Sequence, residues 1–482
     1  MTTISAPTLR SFTQLFVGGR WVAPSTDDVI DVISPLTEQV IATVPAAGPA
    51  DVDAAVAAAR EAFDHGPWPR MTPAERGEAL ARVGDELEKR LDELVASFTA
   101  EVGGPTALST AFHTRAAAGW REMSDLIDRT VFEEERSGPG GTGVIVREPV
   151  GVVGAIIPWN GPVTTGSNKL RAALAAGCTV VLKPAPEGPV ATLILAEALS
   201  AAGLPEGVVS ILPGGRETGE HLVSHRDVDK ITFTGSTAAG RRIMALCAER
   251  IVRVTLELGG KSAGIIADDV DLSSVIPTLL PAGVGHSGQV CAAITRILVP
   301  RERQQELLDA LVPAVEGMVL GDPADPATQL GPLVAERQRD RVESYIRVGV
   351  EEGARLVTGG ERPDGPGWFV EPTVFADVSN DMRIAREEIF GPVVCVIPFD
   401  SVDEAVDLAN DSDYGLSGAV YAKDPALAEA IARRIRTGQI AINGWTICGS
   451  QPFGGFKQSG IGREGGAEGL EAYLETKWIH RG

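Results

Sequence analysis

The stretch Gly151-Val152-Val153-Gly154-Ala155-Ile156-Ile157-Pro158-Trp159-Asn160 is apolar at every position until a proline and an asparagine close it. A strand that faced water on one side would alternate; a continuous run belongs to a strand covered on both faces. The rhythm repeats at Thr179 to Leu182, Val208 to Leu212, Lys230 to Phe233 and Arg253 to Leu256. Helix-like segments near 164–176, 189–201, 216–224 and 237–249 separate these runs. Strands alternating with helices at this spacing predict a parallel sheet with crossover helices.

After Gly260 the pattern restarts. Apolar runs at Ala263 to Ile266, Arg296 to Val299, Val393 to Ile397, Ala419 to Ala422 and Gln439 to Ile442 alternate with helices near 302–317, 334–352, 402–409 and 425–435. The chain therefore reads as α/β with two parallel-sheet domains. Ahead of Gly151 the pattern is mostly helical, to about Asp128. Asp51 is expected to cap one helix, and Thr72-Pro73-Ala74-Glu75 to open another with Thr72 as cap and Pro73 in the first turn. Arg136 to Gly143, rich in glycine between Val131-Phe132 and Val144-Ile145-Val146, reads as a hairpin turn.

Bulk properties narrow the function. The 482 residues exceed one ordinary domain, and 44% hydrophobic content is ample for sizeable cores. Lys and Arg number 43 against 65 Asp and Glu, a net charge of −22 that opposes binding to nucleic acid or an anionic membrane. Five widely spaced cysteines form no metal-binding pattern, so no metal is expected and free thiols in a reducing compartment are. With no secretory signal pattern and no long apolar span, the cytoplasm is the expected location.

Three fragments carry chemistry. Cys291 lies in His286-Ser287-Gly288-Gln289-Val290-Cys291, Glu257 in Leu256-Glu257-Leu258-Gly259-Gly260, and Asn160 follows Pro158-Trp159. A thiol nucleophile, a carboxylate that activates water and an amide that binds an oxyanion are what aldehyde oxidation through a thioester requires. Taken singly, Asn160 before Gly161-Pro162 is also a turn residue, and Glu257 also a strand-end surface carboxylate. No GxGxxG follows the first strand of the sheet. Instead, Phe233-Thr234-Gly235-Ser236-Thr237 ends a strand and opens a helix whose free N–H groups suit a pyrophosphate, and Lys183 stands at a strand end. A capped helix start and a solvated lysine are the alternatives there.

In combination these residues resemble the aldehyde dehydrogenase superfamily, from Phe16-Val17-Gly18-Gly19-Arg20-Trp21 to Glu475-Thr476-Lys477. The landmarks, in order, are PWN at 158–160, Lys183, FTGS at 233–236, LELGG at 256–260, GQVC at 288–291, EEIFGP at 387–392 and PFGGFKQSGIGRE at 452–464. The resemblance implies a Rossmann-like cofactor domain over 1–130 and 150–256, a catalytic domain over 257–458, and a β oligomerisation arm from 131–149 and 470–482. A homodimer or homotetramer is implied as well. It implies Cys291 as nucleophile, Glu257 as general base and Asn160 as oxyanion donor, with Lys169 and Glu464 passing protons between the base and solvent. Ile157, Trp159, Lys183, Pro186, Gly215, Gly219, Phe233, Ser236, Leu258, Glu388 and Phe390 would hold NAD. Gly161, Thr165, Val290, Ala292, Trp445, Ile447 and Phe453 would line the aldehyde channel.

The chain departs from the family pattern at three places. Pro186 stands where many NAD-using members have a glutamate on the adenosine ribose, so NADP is an alternative cofactor. Gly161 replaces a phenylalanine common among members acting on simple aliphatic aldehydes. With small neighbours and no Arg or Lys to hold a carboxylate, the channel is expected to take a bulky hydrophobic aldehyde, aromatic, terpenoid or long aliphatic. His286 replaces the usual asparagine and is given no catalytic role. Competing readings are a CoA-acylating dehydrogenase, for which Glu257 would be superfluous, a cofactor-independent cysteine esterase, which would leave FTGS and EEIFGP idle, and a silent relative.

Overall fold

The computed structural model describes residues 8–139 and 141–481; the expected bounds that fall on residues 1–7, 140 and 482 lie outside it. Two large sheets dominate. The first runs, edge to edge, through Gly460–Ile461, Arg253–Glu257, Lys230–Thr234, Val152–Ile157, Thr179–Pro184, Val209–Ile211, Leu15–Val17 and Arg20–Val22. Its five central strands are parallel and its edges antiparallel. From Val152–Ile157 the chain winds outward to one side for two strands, then returns to the other side for two more. The order therefore reverses between Val152–Ile157 and Lys230–Thr234. In an open parallel sheet such a reversal opens a crevice at the strand carboxyl ends, because the connecting helices leave in opposite directions. Pro158-Trp159-Asn160 and Gly235-Ser236 flank that crevice.

The second sheet runs through Arg355–Thr358, Thr373–Ala376, Val393–Phe399, Ile294–Pro300, Ser262–Ile266, Gly418–Tyr421 and Ala441–Ile442, parallel except at Arg355–Thr358. Val152–Ile157 is buried at every position, as an unbroken apolar run requires. A third, antiparallel sheet joins Glu133–Gly138, Gly141–Pro149 and Leu474–Arg481 and leaves Trp478 and Ile479 exposed.

Thr72 caps its helix as expected, with Glu75 returning a bond to the Thr72 amide at 2.7 Å. Asp51 does not cap the helix Pro49–Asp64. Gly48 occupies the cap, and Asp51, three residues in, accepts from the Gly48 amide at 2.8 Å and the Ser25 amide at 2.8 Å. The helix Leu272–Val284 and the strands Arg355–Thr358 and Thr373–Ala376 were not expected from sequence. Gly460–Ile461 pairs with Arg253–Glu257, bringing the chain back to the first sheet after the second is complete. Among the described residues, no helix is long and apolar enough to cross a membrane.

Candidate active site

Cys291 sits in the loop that enters the strand Ile294–Pro300, half-buried. The loop is strained. His286 and Ser287 both have φ of 53° and Gly288 follows at 70°, a left-handed run that only surrounding contacts can hold. His286 donates from Nε2 to the carbonyl of Asn160 at 3.2 Å, and its ring packs on Phe98 and Phe112. The Ser287 hydroxyl donates to the Gly331 carbonyl at 2.6 Å. A Cβ on Gly288 would stand 1.9 Å from the Gly391 carbonyl oxygen, so only glycine fits there. Gln289 is fully buried and accepts from the Val334 amide at 2.9 Å. Burial lowers the His286 pKa to about 4, so the imidazole stays neutral and keeps its donor role.

Asn160 follows the strand Val152–Ile157, just before the helix Pro162–Ala176. Its Nδ2 donates to the carbonyl of Gln289 at 2.8 Å. The amide is thus held two residues from the thiol, and His286 fixes its backbone from the other side.

Glu257 ends its strand with 2% of its surface exposed, and neither carboxylate oxygen has a hydrogen-bond partner in the protein. A Cβ on Gly454 would lie 2.6 Å from Glu257 Oε1, which fixes where the carboxylate points. Burial, then the charge of Glu464, raises its pKa well above the usual carboxylate range; Lys169 opposes the shift. Lys169 pairs with Glu464 and donates to the Thr232 hydroxyl at 3.0 Å. Burial, with the charges of Glu388 and Glu257, pushes the Cys291 thiol up to about 12.

Glu388 closes the site from the loop that leads into the strand Val393–Phe399 of the second sheet. Its Oε1 accepts from the Gly260 amide at 3.1 Å, and burial raises its pKa to about 7. A Cβ on Gly259 would lie 2.2 Å from Glu388 Oε2, and one on Gly260 would lie 2.5 Å from the Cys291 carbonyl oxygen. The paired glycines are what allow carboxylate and nucleophile segment to approach the same backbone. Phe390, with φ of 61°, packs edge-on against Trp159 at 5.5 Å.

The other expected cofactor residues gather along the crevice. Lys183 donates to the Gly214 carbonyl and to that of Gly215 at 3.2 Å, and burial lowers its ammonium to about 8. A Cβ on Gly219 would only touch Lys183 and Ile156. Ser236 caps the helix Thr237–Ala248, accepting from the Ala239 amide at 3.3 Å, beside the sheet's reversal point. The space above Gly235 is filled by the Phe233 ring and that above Gly240 by Leu258. Ile157 is buried and Pro186 half-buried. A lysine at a strand end, a helix N-terminus and a carboxylate across the crevice suit the diphosphate and two riboses of a dinucleotide.

Gly161 leaves open space: its nearest neighbours are the Thr165 hydroxyl at 3.8 Å and the Phe112 ring at 4.0 Å from a built Cβ. Val290, Trp445, Ile447 and Phe453 are half-buried, whereas Ala292 has no exposed surface. Ala292 contributes its carbonyl, which accepts from Trp445 Nε1 at 3.2 Å and ties the 445–453 loop to the nucleophile segment. Phe453 and Glu464 exchange both backbone bonds at 2.7 Å. Cys448 is half-buried, and a hydrogen bond from Ser450 lowers its pKa.

Sequence reading passed over the buried Arg171, Lys230 and Tyr473. Arg171 had a visible signal, a charge inside Leu170-Arg171-Ala172-Ala173-Leu174. Among the described residues no His, Cys, Asp and Glu cluster could hold a metal ion.

A model described as the aldehyde dehydrogenase family matches residues 21–479. Geranial dehydrogenase of Castellaniella defragrans is 45% identical, over 97% of this chain and 98% of that protein. An aldehyde dehydrogenase of Mycobacterium tuberculosis complexed with NAD+ superposes with a TM-score of 0.97 at 48% identity, covering 98% of this chain and 99% of that one. A mutant aldehyde dehydrogenase C of Pseudomonas syringae, complexed with NAD+ and octanal, gives a TM-score of 0.94 at 41% identity, covering 97% and 96%.

Proposed function

The chain belongs to the aldehyde dehydrogenase family, and from that premise we propose that it oxidises a bulky hydrophobic aldehyde to its carboxylic acid with NAD. The observation that carries the reading is the Asn160 amide bonded at 2.8 Å to the carbonyl of Gln289, two residues from Cys291. An oxyanion donor beside a thiol has a use only if the thiol adds to a carbonyl.

In this reading Glu257 takes the Cys291 proton and releases it to solvent, the sulfur attacks the aldehyde carbon, and the new alkoxide is held by Asn160 Nδ2 and the Cys291 amide. Lys183, Ser236, Glu388 and Phe390 would hold NAD, which when bound would supply the two-electron oxidant for the hydride that the thiohemiacetal carbon loses. Collapse of the alkoxide leaves a thioester. Glu257 takes a proton from water, hydroxide adds to the thioester, and the C–S bond breaks to release acid and restore the thiolate. A carboxylate held by burial above its usual range is a stronger base than a free one, which suits Glu257 to taking the proton of water. A CoA-acylating enzyme would have no use for that base.

The substrate assignment rests on the open space at Gly161, on half-buried Trp445, Ile447 and Phe453, and on two relatives, one a geranial dehydrogenase and one bound to octanal. Within this reading residues 1–130 and 150–256 form the cofactor domain, 257–458 supply the nucleophile, and the exposed Trp478 and Ile479 of the third sheet form the contact of a homodimer or homotetramer.

The test is the initial rate of NADH or NADPH formation with geranial, octanal, benzaldehyde and succinate semialdehyde, with and without CoA, and with Cys291→Ala as control. The expected result is CoA-independent turnover, absent from the control, with the highest kcat/KM on the terpenoid or long aliphatic aldehyde. Succinate semialdehyde ranking first would refute the substrate assignment.

A further inference from the structure

At one end of the cofactor crevice a second cation stands beside Lys183. Lys183 lies near the end of the strand Thr179–Pro184, and its ammonium donates to the Gly214 carbonyl and to that of Gly215 at 3.2 Å. Those two residues lead into the helix Arg216–Ser224, so the lysine head is fixed at the helix start. Residues three and four apart share a helix face, and Arg216 therefore stands over Gly219 and Glu220. Gly219 packs on the lysine: a Cβ there would lie 3.5 Å from Lys183 Cδ. Helical side chains lean toward the N-terminus, which carries the Arg216 guanidinium back toward Gly215. A Cβ built on Gly215 meets nothing within 4 Å, so the space above that residue is open.

The carboxylates nearby are engaged elsewhere. Arg216 has 86% of its side chain exposed, and its Nε lies 3.9 Å from Glu220. The other oxygen of Glu220 accepts from Arg242, and that bond is the first cause of the lowered pKa of this carboxyl, ahead of the charge of Arg216. Glu217 stands over His221, four residues on, which pairs with Asp53 of the helix Pro49–Asp64 at 2.6 Å. That face of the helix turns toward its neighbour. On the strand side, Pro186 carries no charge and Glu187 is paired with Arg337. Two cations thus meet at this end of the crevice, in a chain whose net charge of −22 otherwise repels phosphate.

We infer that Arg216, beside Lys183, receives a phosphomonoester on the 2′-hydroxyl of the adenosine ribose, so that NADP binds here as well as NAD. The inference rests on the crevice being the dinucleotide site. A ribose held by Lys183 lies next to the backbone of Gly215, because the lysine is bonded there. A bare hydroxyl at that place is satisfied by one hydrogen bond. A phosphate brings a charge of about −1.5 to −2 and three acceptor oxygens. The planar fork of a guanidinium matches two of these oxygens at once. Arg216 is able to turn from Glu220 to the phosphate at little cost, since an exposed ion pair at 3.9 Å contributes little and Arg242 keeps hold of the carboxylate. Pro186 sets no like charge against the phosphate. Arg216 is a specificity residue: it acts on which dinucleotide binds, and the chemistry at Cys291 does not pass through it.

Binding, rather than turnover, tests this. The whole protein is titrated by calorimetry with 5′-AMP, with adenosine 2′,5′-bisphosphate and with adenosine 3′,5′-bisphosphate. In the unchanged protein the 2′,5′ compound should bind at least about fivefold tighter than 5′-AMP, the effect of one charge pair in largely aqueous surroundings. Arg216→Gln should lower that ratio at least about threefold. Arg226→Gln removes an arginine of the same domain whose side chain is 88% exposed, and should leave the ratio as it was. A ratio near one in the unchanged protein overturns the inference, as does a ratio that survives Arg216→Gln. Equal tightening by the 3′,5′ isomer also overturns it, because the cause would then be a diffuse field and not a place for the 2′-phosphate. Failure of both 5′-AMP and NAD to bind is a different result: it removes the dinucleotide reading of the crevice, and Arg216 falls with it.

Discussion

The guanidinium of Arg171 fills the notch that Gly119 leaves in the helix Thr106–Asp128: a Cβ on Gly119 would lie 1.4 Å from Arg171 Nη1. From that notch Arg171 donates to the Gly449 carbonyl at 3.3 Å, so a buried charge on the helix Pro162–Ala176 holds the loop carrying Trp445 and Ile447. Burial lowers even this guanidinium to about 10, against the pull of Glu122 and Glu464. Gly119→Ala must expel the side chain or shift the helix, a forced fit that costs about 1–3 kcal/mol. The expected outcome is a lower unfolding midpoint together with a raised KM for octanal. A normal KM beside a lowered midpoint would separate Arg171 from the channel.

Asn160→Ala removes the side-chain donor while His286 still holds the backbone at that position. The loss of one oxyanion donor is worth about 3 kcal/mol of barrier, a fall of roughly 100- to 1,000-fold in kcat. Because the amide is needed most when the alkoxide forms, KM should change little. Steady-state kinetics with geranial check this; a rise in KM with kcat preserved would make Asn160 a substrate-binding group.

The two sheets could be read from sequence wherever burial on both faces left an unbroken apolar run, as in Val152–Ile157. Leu272–Val284 escaped because Pro277 and Pro281 lie inside it, each removing a helical donor, and only packing and the Asp271 cap restore the helix. Arg355–Thr358 and Thr373–Ala376 are four residues each, too short for periodicity to register. Cys291, Glu257 and Asn160 could be proposed from sequence because the fragments PWN, LELGG and GQVC follow one another in the order of a known family, whereas the close backbone approaches at Gly259, Gly260 and Gly288 appear only in the structure. Lys230, Tyr473 and Arg171 could not be placed, since their meaning lies in strand register and in a glycine fifty residues away in the chain.

Cys291 should resist alkylation. With its pKa pushed to about 12, only roughly one thiol in ten thousand is thiolate at pH 8. The iodoacetamide rate in the absence of cofactor should therefore climb about tenfold per pH unit from pH 7 to 10 without a plateau. Burial is the first cause of the shift and the Glu388 charge the next. Glu388→Gln removes that like charge, lowers the thiol pKa and should quicken alkylation several-fold at pH 8, by roughly the effect of one nearby charge. A plateau near pH 8 in the unchanged protein would mean that another group already stabilises the thiolate.

Pro186 offers the sharpest test of cofactor choice. It lies half-buried between Lys183 and Glu187, and Glu187 is already paired with Arg337, so no free carboxylate stands at this position to meet an adenosine ribose. A 2′-phosphate meets neither a repelling charge nor a lost hydrogen bond at a proline. Pro186→Glu would supply both, an acceptor for the ribose hydroxyls of NAD and a like charge against NADP. One unit of like charge a few ångströms from a phosphate at a partly solvated site costs about 1–4 kcal/mol. The ratio of kcat/KM for NAD over NADP should therefore rise at least about fivefold, mostly through a higher KM for NADP. An unchanged ratio would mean that the ribose lies away from residue 186 and that Lys183, through its ammonium, decides between the two cofactors.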